Sequence, residues 1–116
     1  MLTHASDTKI YLCTGHTDMR KGVGSLSLLA GSILHGGFSS GAMFVFRGKS
    51  ADKIKILWYD GQGFCLFYKC LDCGKFPWLN TNDKESVGIT RAQLSMLLEG
   101  VDWRMPKWSK APEYAG

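Results

Sequence analysis

Apolar positions along the chain recur at two spacings, and the switches between them mark out the elements. Residues 9–13 (KIYLC) form a β-branched and aromatic run that stops at Thr14-Gly15, which predicts a strand. From Met19 the interval lengthens: Val23, Leu26, Ala30, Ile33 and Leu34 recur at helical spacing, and Leu28 and Leu29 widen the stripe. A helix over 19–34 follows, capped by Thr17 or Asp18 and stopped at His35-Gly36-Gly37. Gly22 and Gly24 each weaken it by up to about 1 kcal/mol relative to Ala, so packing must hold its first turns.

Period-two alternation returns in the middle of the chain, where a three-strand meander is expected: 42–47 (AMFVFR), 53–59 (KIKILWY) and 64–70 (FCLFYKC). The last two flank Asp60-Gly61-Gln62-Gly63, a tight-turn sequence in which glycine accepts positive φ. Alternation places Ile54, Ile56 and Trp58 on one face, and Lys53, Lys55, Leu57 and Tyr59 on the other. Residues 80–86 are polar and read as a loop. A second helix then has explicit boundary chemistry over 90–99. Thr90 with Gln93 makes a capping box, Ile89 can staple onto Leu94, and Gly100 sits at the C-terminal cap. Its stripe is Leu94, Leu97, Leu98 and Val101. The expected fold is α+β: an antiparallel β-sheet of four to five strands, one main helix packed on it and a second, C-terminal helix closing the core. Residues 1–104 form one domain on this reading, and 105–116 are a tail. The stretch from Trp103 onward holds two prolines and two tryptophans.

Composition narrows the function classes. With 116 residues, 45% hydrophobic and 21% charged, the chain is one domain that can fold without metal or disulfides. No stretch reads as a signal peptide or as a membrane span, and the four cysteines read as reduced thiols, so the cytoplasm is the expected compartment. The net charge of +4 only permits nucleic-acid binding. Its distribution is more telling. Between residues 45 and 75 stand six cations, Arg47, Lys49, Lys53, Lys55, Lys69 and Lys75, against three acids, so most of the excess lies in the meander. Cations on a sheet face can neutralise phosphates, and exposed aromatics can stack on unpaired bases.

Catalytic chemistry finds little support. Residues 15–22 (GHTDMRKG) lack the Gly before and the Ser or Thr after the lysine that a phosphate-binding P-loop requires. Arg20 and Lys21 before a helix N-terminus could still receive a backbone phosphate. Cys70-x-x-Cys73, with Cys65 and Cys13, has the spacing of half a zinc site, but a lone CxxC is weak and idle thiols are the better reading. The acids fall at turns and helix ends, and His4, His16 and His35 sit in no nucleophile context. No catalytic constellation, metal site or cofactor site is expected.

Six segments, in order, carry a likeness: TDMRKG (17–22), FVFR (44–47), KILWYDG (55–61), GFCLFYK (63–69), GKFPW (74–78) and LLEG (97–100). Together they resemble the TnpB family of small accessory proteins, products of the second open reading frame of insertion-sequence-sixty-six elements of bacteria. The likeness spans about residues 9–104. It implies a non-catalytic role in transposition beside a separately encoded transposase that cuts and joins the strands. The implied partners are that transposase and DNA at the element ends, with a homo-oligomer compatible and no membrane. The family motif maps onto Asp18, Gly22, Trp58, Asp60 and Gly61; the candidate nucleic-acid contacts are Arg20, Lys21, Arg47, Lys49, Lys53, Lys55, Lys69 and Lys75. The sequence departs from the family pattern at Lys69-Cys70-Leu71-Asp72, where Lys-Arg-Leu-Glu is usual, and at Leu79, where Pro is favoured. The alternative function is a protein-interaction module that recruits or regulates the transposase without touching DNA. A metal-dependent nuclease built on Asp18 or Asp60 is the third class and the least supported.

Overall fold

The computed structural model describes residues 8–34, 41–79 and 85–104. Five strands and two helices follow in the order β1 (Ile10–His16), α1 (Val23–Ile33), β2 (Met43–Arg47), β3 (Lys53–Tyr59), β4 (Phe64–Cys70), β5 (Ser86–Ile89) and α2 (Arg91–Leu98). They build one mixed sheet ordered β4-β3-β2-β1-β5. The fold is α+β.

One pairing departs from the expected antiparallel sheet, and the fifth strand forms at residues to which the apolar pattern assigns no strand. β1 and β2 pair in parallel, because α1 carries the chain back to the end of the sheet where β1 starts before β2 begins. β5 pairs antiparallel with β1, matching Ile10 with Ile89 and Cys13 with Ser86. Its four residues, one of them Gly88, are too few to show period-two alternation. The β2–β3 and β3–β4 pairings are the antiparallel meander, with Lys55 opposite Phe46 on one side and Tyr68 on the other.

Each face of the sheet buries its own apolar cluster. α1 lays Leu26 and Ala30 on Phe44, Phe46 and Leu57. On the opposite face, α2 contributes Leu94 and Leu97, and the chain after β4 contributes Phe76 and Trp78, over Leu12, Val45, Ile54, Ile56 and Trp58. β2 and β3 are therefore covered twice, which explains why burial runs nearly unbroken along both. Trp103 belongs to this core, at 3% exposure, and its indole donates to the Pro77 carbonyl at 2.8 Å. The rest of the C-terminal stretch (105–116) lies outside the described residues, as do 35–37, 80–84 and Trp108.

Helix boundaries show where local chemistry decided and where it did not. At α2 the Thr90 side chain accepts from the Gln93 amide and the Gln93 side chain accepts from the Thr90 amide, the reciprocal box read from the sequence. Gly100 takes φ +78° just past its end, a conformation that suits glycine. α1 starts four residues later than its apolar spacing suggested, at Val23, with Gly22 as N-cap and no side-chain cap. Thr17 and Asp18 do not cap it. They are used in the loop that precedes it.

Candidate nucleic-acid interface

The loop 17–22 is held on three sides. The Thr17 amide donates to the Arg47 carbonyl at 2.8 Å, tying the loop to the end of β2. Asp18 accepts from the Arg20 amide at 2.9 Å in an Asx turn, and the Arg20 guanidinium folds back to both carboxylate oxygens, reaching 2.7 Å. Beneath the loop, Lys55 is 93% buried; its ammonium donates to the carbonyls of Met19 (2.9 Å) and Lys21 (2.8 Å). The same ammonium lies 4.6 Å from the centroid of the Tyr68 ring. One buried cation thus joins β3, β4 and the loop.

The β2–β3 turn closes on the other side. Gly48 is packed so tightly that a Cβ there would stand 2.8 Å from Met19 Cγ. Loop and turn enclose an open concavity of about 400 Å³ whose rim includes His16, Asp18, Lys49, Asp52 and Lys53. His16 reaches it because the β1–β2 register shifts between Leu12 and His16, pairing His16 with Arg47. Trp78 supports this irregular stretch by donating to the Cys13 carbonyl at 2.9 Å.

The eight candidate contacts divide. Arg20, Lys21, Lys49 and Lys53 stand at or beside the concavity, and the Arg20 side chain is 91% exposed. Lys75 is exposed next to Phe76, whose amide donates to Ala51 in the same turn at 2.7 Å. Lys55 supports the site from below. Arg47 and Lys69 belong to the opposite face: Arg47 lies over the Trp78 ring at 5.9 Å, and Lys69 donates to the Leu98 carbonyl at the end of α2 at 2.7 Å. A sequence count of charge treats these lysines alike. The pairing register separates them.

In the lining of the concavity Lys49 and Lys53 balance Asp18 and Asp52, and the excess of positive charge comes from Arg20 and Lys21, which follow the lining residues Asp18 and Met19 in the loop. Hydrogen bonds from the Arg20 side chain and amide hold the Asp18 carboxyl well below its ordinary range, and Asp18 in turn raises Arg20. Lys53 pairs with Asp52 at 3.4 Å. The first turn of α1 holds no acid, so the positive end of its dipole adds to the same region.

The remaining motif residues have structural roles. Trp58 is core. Asp60 accepts from the amides of Gln62 and Gly63, which lowers its pKa, while Gly61 takes φ +100° in that turn. Gly22 has an ordinary φ of −96° and open space around it, so nothing in its backbone demands glycine. Burial, with Glu85 adding to it, pushes the Cys13 thiol up to about 12; Cys65 is half-buried, and Cys70 and Cys73 are exposed free thiols. Among the described residues, no group of three or more His, Cys, Asp or Glu could hold a metal ion. No helix there is long and apolar enough to cross a membrane.

Two residues of this surface escape sequence reasoning. His16 arrives through a register shift that no periodicity reports. Tyr68, 47% exposed, faces Lys55 only through the β3–β4 pairing, and the neighbouring Cys70 thiol raises its phenol pKa.

Comparisons with known proteins agree with the ordered motifs. Over all 116 residues, and over the whole of the relative, the chain is 43% identical to an uncharacterized protein, y4hO, of Sinorhizobium fredii (strain NBRC 101917 / NGR234). A second uncharacterized protein of that strain, y4jC, is 32% identical over 92% of this chain and 91% of its own length. No solved structure matches. The family model described as IS66 Orf2 like protein matches residues 8–108, and the chain belongs to that family of transposition-associated proteins.

Proposed function

We propose that the chain is a non-catalytic accessory factor of transposition that binds the DNA of its element through backbone phosphates, beside a separately encoded transposase. The observation that carries this reading is the pair Lys49 and Lys53 on the rim of one concavity, beside a loop that carries Arg20 and Lys21 and is fixed from beneath by a buried lysine. A preorganised cationic rim loses little conformational freedom on meeting phosphates, and releases counterions when it does.

Mobility shifts on element-end DNA across a salt series test it. Binding that weakens steeply with salt, and weakens further in Lys49→Ala/Lys53→Ala, is the expected result; no binding at low salt without transposase overturns direct DNA contact. The protein-interaction alternative drew on the tryptophans of the C-terminal stretch, and Trp103 is now spent in the core. Its test is therefore a deletion of 105–116, which leaves Trp103 in place. Loss of transposase co-purification with unchanged DNA shifts would favour that alternative.

A further inference from the structure

We propose that this surface recognises unpaired deoxynucleotides in preference to duplex, with Tyr68 as the plate on which a base stacks; this rests on the DNA-binding reading above. Cations alone serve either form of DNA, because both present phosphates. An aromatic ring among them does not. Bases inside a duplex are already stacked on one another, so an exposed ring gains a partner only where a strand is open.

Tyr68 has what such a plate needs. It is 47% exposed on the α1 side of the sheet, although it belongs to a strand of the central meander. Lys55 beneath it is buried and held by two carbonyls, so the ring is fixed from one side by an ammonium that cannot drift. Those carbonyls belong to Met19 and Lys21, which places the ring beside the loop that carries Arg20 and Lys21. Along β3 the next residue on the same face is Lys53, diagonal to Tyr68 across the β3–β4 pairing and on the rim of the concavity with Lys49. Phosphate-neutralising cations therefore flank the ring on two sides. Tyr68 is also a poor candidate for core packing, since Leu66 and Leu57 beside it already receive α1.

The experiment uses the full chain and fluorescence anisotropy with two labelled probes, an oligodeoxythymidine of about a dozen nucleotides and a duplex of equal length. The single strand should bind more tightly. Tyr68→Leu, which keeps an apolar cover on Lys55 but no ring, should weaken single-strand binding by about 5- to 150-fold, the range for loss of one stacked base, and leave duplex binding within about twofold. Tyr68→Phe, which gives up only the hydroxyl, should retain the preference, and circular dichroism should report both variants folded. A duplex preference, an equal loss on both probes, or no loss in Tyr68→Leu overturns the proposal and leaves phosphate contact standing. No binding of the wild type to either probe at low salt removes the DNA-binding reading itself.

Discussion

The most exacting prediction concerns Lys55, which charge counting assigns to DNA and the structure assigns to the protein. Lys55→Met keeps the buried stem and removes the ammonium. Two hydrogen bonds from a charged donor are lost, at 2.9 and 2.8 Å, each worth about 1.5–3 kcal/mol. Three effects offset this. The Lys21 carbonyl lies in an exposed loop and can take water instead. The folded state no longer desolvates an ammonium. The new thioether can rest on the Tyr68 ring, recovering about 0.3–1.5 kcal/mol of the cation–π contact. The net loss should be about 2–3 kcal/mol. For a domain of this size, that lowers the urea midpoint by about 1–2 M.

Hydrogen exchange locates the damage. The amides of Lys21, bonded to Asp18, and Leu26, bonded to Gly22, should exchange faster, while the β2–β3 ladder should change only by the global loss. An unchanged midpoint with unchanged exchange refutes the clamp. So does the opposite pattern: a variant at least as stable as wild type, whose DNA affinity has a salt slope smaller by about 0.9, the signature of one lost phosphate contact.

Lys69→Met should behave as a helix-end variant, losing about 1–2 kcal/mol in urea unfolding with no change in the salt slope of DNA binding, because its ammonium serves the Leu98 carbonyl. Gly22→Asp should stabilise the fold by up to about 1 kcal/mol, by capping an uncapped helix whose geometry already suits an N-cap, yet weaken DNA binding by setting a carboxylate beside Arg20 and Lys21. Cys13 should resist thiol reagents that modify Cys70 and Cys73 at once. Its folded pKa, about 12, lies above the ordinary thiol value of 9.0. The stability it contributes is therefore complete below pH 9 and lost as pH rises from there toward 12, so Cys13→Val should unfold with a smaller alkaline loss than wild type.

What the sequence made legible was whatever depends on neighbours in the chain. The capping box at Thr90, the Asp60 turn and the alternation along β3 all rest on spacings of two to four residues, and each appears as read. The misses share a different cause. α1 begins at Val23 because the Asp18 carboxylate is taken by Arg20, a contact that competes with capping, and the Thr17 amide is tied to the Arg47 carbonyl, which holds the segment as a loop; neither leaves a mark on periodicity. β5 is a strand because β1 has a free edge, not because Ser86-Val87-Gly88-Ile89 demands one. Half of the candidate contacts were separable only once register was known.

Register also changes what the motif segment means. In TDMRKG, the acid is consumed by its own arginine two residues on, and the glycine leaves a helix start open where a capping side chain would close it. Two backbone carbonyls turn inward to a lysine from a strand some 35 residues distant. The conspicuous charges of the segment are thus arranged by groups that a motif cannot display. Asp102 and Arg104 repeat the Asx turn with its chelated guanidinium, at 3.0 Å from both the amide and Nε, but there Arg104 also donates to the Trp78 carbonyl and closes the core. The same local unit serves packing at one site and an open cationic rim at the other. The difference lies in what surrounds it: a buried carbonyl in one case, Lys21, Lys49, Lys53 and an exposed ring in the other.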